Sequence, residues 1–369
     1  MNKFASLAAV ALLLPLAALR AQSDLTLPDV SPKATVTQTI GITDVTVVYH
    51  RPSVNRREIW GKLVPYGYNY LNFGTARAAP WRAGANENTT VSFQHDVTIA
   101  GQPLKAGTYG LSVAIAPEGK VTVIFSHDSA LWGSFYYDQA RDALRVDVPW
   151  EDASFREQLT YDFSDVTKDT AVLALSWEKK RIPVPIKTDT DTNVVASLKN
   201  EMRSGKAFRY QAGIDASRYL VTNSIELPLA LRWAEFALND PFFGERNYTT
   251  LSNKALVLEK MDRPDDAKPI MDAALKLATA GQVHQYGRQL LAQKKTERAV
   301  EVFKLNAKLH PDTWPVNYGL ARGLSAIGDY KTALDALLKA QTQVPEGDTV
   351  NANAIKTNIE KLKRGEDIN

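Results

Sequence analysis

The sequence predicts a two-part α+β chain: an N-terminal antiparallel β-sandwich followed by an all-α solenoid of stacked helices. Three observations predict it. Residues 34–186 alternate apolar and polar positions with a period of two. Beyond residue 198 the period is helical, and small residues recur at a fixed offset. Between them "KTDTDTNVV" (187–195) is polar and lacks a helical period until its end, so 187–197 reads as a linker. The expected layout is a signal peptide at 1–21, the β-sandwich at 32–186, the linker, and repeats at 198–364.

At the start, "MNKFASLAAVALLLPLAALRAQS" sets one lysine before an apolar run from Ala5 to Leu19, with small residues after it. That run is shorter than the ~20 residues of a membrane span. It reads as a cleaved secretory signal, cut after Ala21, the alternative being a retained N-terminal anchor. The protein is then expected to be exported, periplasmic or extracellular, with no transmembrane segment in the mature chain. The 369 residues include no cysteine, so stability has to come without disulfides, and neither thiol chemistry nor a lipid on an N-terminal cysteine is available. The formal charge of +3 includes Lys3 and Arg20 of the leader. No Lys/Arg block tracks a phosphate backbone, which excludes nucleic acid as an expected partner.

The β half reads as a series of short strands. "ATVTQTI" (34–40) and "TDVTVVYH" (43–50) are rich in β-branched residues, and in "TYGLSVAI" (108–115) Tyr109, Leu111, Val113 and Ile115 share a face. "VTVIF" (121–125), "LRVDV" (144–148), "LTYDF" (159–163) and "AVLALSW" (171–177) repeat the pattern, with "EGK" and "DVTKD" as turns. Such alternation implies antiparallel sheets with one wet face each.

In the helical half, "KKTERAVEVFKLNAKLHP" (294–311) aligns with "GDYKTALDALLKAQTQVP" (328–345) at an offset of 34, pairing Ala299 with Ala333, Phe303 with Leu337, and Pro311 with Pro345. Ala267, Met271 and Ala274 form an earlier copy, and Ala230, Ala234 and Ala237 before Pro241 a weaker one. This half resembles the tetratricopeptide-repeat family, with three to four degenerate units and a capping helix at 351–364. The resemblance implies a tetratricopeptide-like solenoid whose concave face holds a protein or peptide partner.

Complete catalytic motifs are missing. There is no G-x-x-x-x-G-K-[ST] loop and no H-E-x-x-H pair, and the histidines at 50, 95, 127, 284 and 310 lack ligand spacing. "GLSVA" (110–114) lacks the last glycine of a serine elbow and sits in a strand pattern. No metal and no cofactor is expected. Two loops stand out instead. "YHRPSVNRREIWGKLVPYGY" (49–68) carries Arg51, Arg57 and Trp60, and "PWRAGANENTT" (80–90) carries Trp81, Arg82, Asn86 and Glu87. Arginine offers a planar fork to carboxylate or phosphate, and indole faces suit sugars, cations or apolar groups. "HDSALWGSFYYD" (127–138) adds Trp132 as an aromatic wall. The plainer reading pairs Arg82 with Glu87 or Glu58 and tucks Trp60 and Trp81 into the end of the core. His50 and Glu87 are the one candidate acid–base pair.

"RPSVNRREIWGKLVPYG", "WRAGANENTTVSF", "LKAGTYGL", "LWGSFYYDQARDALRV" and "LSWEKKRIPVPI" occur in this order. With them residues 32–186 resemble the bacterial envelope family called domain of unknown function 2911. The resemblance implies an exported β-rich domain, sometimes joined to tetratricopeptide repeats, with no assigned catalytic residues. One departure is visible: "YNYLNFGTARAAP" (68–80) intervenes where the family runs almost directly from "LVPYG" to "WR". The leading expectation is a non-enzymatic binding or scaffold protein. A small-molecule or glycan-binding β-domain, and a hydrolase using Glu87 and His50, are the alternatives.

Overall fold

A computed structural model describes residues 28–369, so the expected signal peptide at 1–21 lies outside the described residues. The chain divides into a β unit ending at Thr190 and a helical unit beginning at Asp191.

β1 (Lys33–Ile40) and β2 (Thr43–His50) form a hairpin that turns on Gly41 at φ +61°. A two-stranded ribbon of β3 (Asn69–Tyr70) and β4 (Ala78–Ala79) follows, made from the 68–80 insertion. Then come β5 (Thr90–Phe93), β6 (Val97–Ile99), β7 (Gln102–Leu104), β8 (Gly107–Ile115) and β9 (Lys120–Ser126). The unit closes with β10 (Asp142–Pro149), β11 (Glu151–Ser164) and β12 (Thr170–Thr188). The order β1-β2-β5-β8-β9-β10 makes one antiparallel sheet and β11-β12-β6-β7 a second. A single apolar core draws on both, with Val45, Val47, Leu111 and Val113 from the first and Leu173, Leu175, Trp177 and Ile182 from the second. Each such side chain contributes about 1.5–3 kcal/mol by leaving water.

Two expectations are corrected here. The segment 187–197 holds the boundary between the two units, but it is regular in structure: β12 runs to Thr188, and α1 (Thr190–Glu201) starts two residues later. Its threonines do not solvate a flexible chain. Thr188 and Thr190 are buried, their hydroxyls 3.0 Å apart, and the Thr190 hydroxyl donates to the Lys168 carbonyl. The single wet face also fails at β8, where every residue from Tyr109 to Ile115 is buried. Over the same sheet Ile124 of β9 packs with Ala79 and Leu71 of the insertion and with Tyr137. The inserted residues thus cover a face that alternation alone leaves to water.

The helical unit continues with α2 (Tyr210–Asn223), α3 (Leu227–Asn239), α4 (Tyr248–Lys260), α5 (Pro264–Leu275) and α6 (Ala280–Ala292). It ends with α7 (Thr296–Leu309), α8 (Trp314–Ala326), α9 (Tyr330–Gln343) and α10 (Thr349–Lys363). Ala230, Ala267, Ala299 and Ala333, matched across the repeats, are all buried on the second helix of a pair. Phe303 shows why small residues recur. Its ring fills the space where Gly287 of α6 and Gly319 and Gly323 of α8 would carry Cβ atoms, at 2.6, 2.9 and 2.9 Å.

Candidate functional site

The 80–90 stretch leaves a strand and rejoins it. β5 pairs with β8 so that Thr90 faces Gly110. Continuing that register would set Glu87 opposite Val113, but Trp81 stands there, exchanging both backbone hydrogen bonds with Val113 at 2.9 and 2.8 Å. Residues 82–88 are therefore an excursion between two points held on β8, and the Leu111 amide donates to the Thr89 carbonyl at its far end. The root of the excursion is buried. Ala83 takes φ +52°, and its carbonyl accepts from the Tyr161 hydroxyl at 2.9 Å and the Thr89 hydroxyl at 3.2 Å. Burial raises the Tyr161 pKa well above the ordinary phenol value, so this donor keeps its proton.

Arg82 does not pair with Glu87 or Glu58. It reaches across the excursion, donating to the Asn86 carbonyl at 2.6 Å, and its guanidinium lies 5.2 Å from the Phe135 ring centre. Gly133, at φ +63°, is required beneath it, since a Cβ there would sit 2.3 Å from Arg82 Cζ. Burial pulls the Arg82 guanidinium below its usual pKa range. Asn86, at φ +55°, places its side-chain amide 3.5 Å from the Ser31 carbonyl. Glu87 turns outward and meets His50, Oε2 to Nε2 3.3 Å; the histidine is buried, and its Nδ1 has no partner among the described residues. Loop 127–138 is tied to the excursion by the Asn88 amide donating to the Leu131 carbonyl and its side chain to the Asp128 carbonyl.

The 49–68 loop lies along β11. Arg51 directs its fork at the Leu159 carbonyl (3.0 Å) and the Thr160 hydroxyl (2.9 Å), which makes it a staple between segments. Arg57 donates to the carbonyls of Val54 (3.1 Å) and Ser53 (2.5 Å) and remains exposed. Trp60 stands edge-on to Trp81, Trp150 and Trp177, at 6.0, 5.5 and 6.0 Å, and Trp81 stacks on Trp177 at 5.8 Å and 18°.

Against this tryptophan cluster opens a cavity of about 700 Å³. Of the residues singled out from sequence, Arg57, Trp81, Arg82 and Asn86 line it; Arg51, Trp60, Glu87, Trp132 and His50 do not. Sequence reasoning missed Trp177, Glu157, Ser134 and the insertion's Asn69 and Leu71, which also line it. Trp177 carried a signal, an indole ending the apolar run "AVLALSW". Ser134 carried none; its hydroxyl is buried at the cavity wall without a partner among the described residues. Among the described residues neither Arg57 nor Arg82 has a carboxylate partner, and the one lining carboxylate, Glu157, accepts from the Asn55 amide at 2.8 Å. The site therefore offers indole surface, two arginines, an amide and a hydroxyl. Ser112, the serine of the elbow-like motif, is buried within β8.

Residues 31–186 match the family described as "Protein of unknown function (DUF2911)". That DUF2911 region holds every cavity-lining residue but Val30. No curated protein matches the chain. Among solved structures the chain is similar to YrrB, described as a TPR protein with an unusual peptide-binding site, at 19% identity over 46% of this chain and 86% of that one, TM-score 0.29. It is also similar to MamA of Desulfovibrio magneticus RS-1, at 19% identity over 43% of this chain and 97% of that one, TM-score 0.27. No group of three or more His, Asp or Glu arranged to hold a metal ion occurs among the described residues, and no helix among them is long and apolar enough to cross a membrane.

Proposed function

We propose that this is an exported binding protein whose β unit, read as a sandwich, holds a ligand in the tryptophan-floored cavity. The helical repeats, read as a solenoid, bind a polypeptide partner. The observation that carries the first part is the convergence of Trp81, Trp177, Arg57, Arg82 and Asn86 on one cavity. Two guanidinium groups without carboxylates favour a ligand bearing a carboxylate or phosphate. The part-exposed Trp81 indole favours a flat, weakly polar ring beside that charge. A concave site with a few convergent polar groups is the ordinary form of a small-molecule site.

Tryptophan fluorescence of the full chain, titrated with galacturonate, glucose, benzoate and inorganic phosphate, tests this reading. The acidic ring compounds are expected to shift the emission with saturation, and Arg57→Ala to weaken them at least tenfold. Flat titrations across the panel, unchanged by Trp81→Ala, would overturn it.

The polypeptide role rests on the repeat stack itself and on a second cavity of about 710 Å³ between α1 and α2, lined by Val194, Leu198, Met202, Phe208 and Ala216. Crosslinking of the full chain in envelope extract, with Phe208→Ala as the contrast, tests it. Identical products from both would count against this surface. Export rests on the leader pattern; fractionation with N-terminal sequencing of the recovered protein would show cleavage near Ala21, or an intact start.

A further inference from the structure

The arginine that walls the cavity begins a run of aromatic contacts leading out of it. From Arg82 the guanidinium lies on Phe135, the Phe135 ring meets Phe73 edge-on at 5.5 Å, and Phe73 meets Tyr136 at 6.2 Å. Exposure rises along this run: Phe135 is half-buried, whereas Phe73 is 61% exposed and Tyr136 49%. Trp132, three residues before Phe135, is 56% exposed. Phe73 belongs to the 68–80 insertion, which is fixed rather than loose. The Thr75 amide donates to the Phe135 carbonyl at 2.9 Å, and Gly74 is pressed so closely on that carbonyl that a Cβ would stand 2.0 Å away. Large aromatic rings held in water beside a cavity are costly unless something covers them.

Resting on the binding role given to the cavity, we infer that the ligand is an acidic oligosaccharide longer than one sugar. Its terminal uronic ring sits against the part-exposed Trp81, which the buried Trp177 backs, and the following sugars run over Phe135, Phe73 and Tyr136. Three features select this class. The weakly positive C–H face of a pyranose docks on the negative face of an aromatic ring. A carboxylate on the ring matches the forks of Arg57 and Arg82. A run of part-exposed rings leading out of the cavity suits a chain of repeated units better than a compact ligand.

Calorimetric titration of the full chain with galacturonate and with oligogalacturonates of two to six units tests the inference, with cello-oligosaccharides as neutral controls and tetraglutamate as the peptide control. Affinity is expected to rise at least tenfold from monomer to tetramer. Phe73→Ala and Tyr136→Ala, both at exposed positions, are expected to remove that gain and leave monomer binding unchanged. Monomer binding with no gain in length would overturn the inference while the cavity's binding role stood. No binding by any acidic sugar would overturn the inference, and the cavity's binding role would fall with it only if benzoate and inorganic phosphate also failed to bind. Equal affinity for neutral chains, or tighter binding of tetraglutamate, would overturn the acidic-glycan assignment.

Discussion

Tyr161 is buried among β-sheet residues, yet it sets the shape of a loop far from it in sequence, because its hydroxyl holds the Ala83 carbonyl at the root of the 82–88 excursion. Tyr161→Phe leaves that buried carbonyl with only the longer Thr89 contact, so a loss of about 0.5–1.5 kcal/mol in urea denaturation is expected, with weaker ligand binding. An unchanged midpoint would show that the excursion holds itself. Gly133 acts on the same loop from the other side. Gly133→Ala places a methyl group where the Arg82 guanidinium lies, in a left-handed conformation that costs about 1–2 kcal/mol. Stability is expected to fall by that order, and galacturonate binding to fall with it, because Arg82 must leave the Asn86 carbonyl. A stable variant with full binding would show that Arg82 does not need that position.

Among the elements, the α6–α7–α8 packing concentrates on one side chain. Phe303→Ala empties the space bounded by Gly287, Gly319 and Gly323, none of which has a side chain to collapse into it, so a loss of about 3–5 kcal/mol is expected. His284 on α6 gives this region a pH dependence. Burial, followed by the charges of Arg288 and Arg322, lowers its pKa from the ordinary 6.5. The folded state thus disfavours the proton that the unfolded chain accepts. The stabilisation is complete above the unfolded value and is lost as pH falls below it. Urea melts of the wild type at pH 7.5 and 5 are expected to differ by more than those of His284→Gln; equal differences would contradict it. The elements were also where the sequence spoke most clearly. A 34-residue offset is a packing rule written in residue types, because Ala299 and Ala333 must be small wherever the same helix contact recurs. The period-two strands were equally plain, since each must bury one face. The 68–80 ribbon and the Trp81 bridge were not legible. The ribbon pairs two strands of two residues each, too short to show a period, and the Trp81 bridge depends on which β8 atoms are free to pair, a long-range fact.

For the whole molecule, the boundary at Thr190–Asp191 implies that residues 28–190 and 191–369 each contain a complete core. Expressed separately, each is expected to unfold cooperatively, and calorimetry would detect a piece that cannot. The candidate site was half legible at this scale. Arg57, Trp81, Arg82 and Asn86 stood out as residue types a plain turn does not need, but exposed loop residues look alike before folding. Only the fold turned Arg51 toward β11 and Glu87 toward His50, and brought Trp177 beneath Trp81. The most direct test of the cavity's role is a crystal structure of the full chain grown with trigalacturonate. A uronic ring against Trp81, its carboxylate within hydrogen-bond distance of Arg57 or Arg82, is the result expected here. An empty cavity with the sugar bound elsewhere would contradict it.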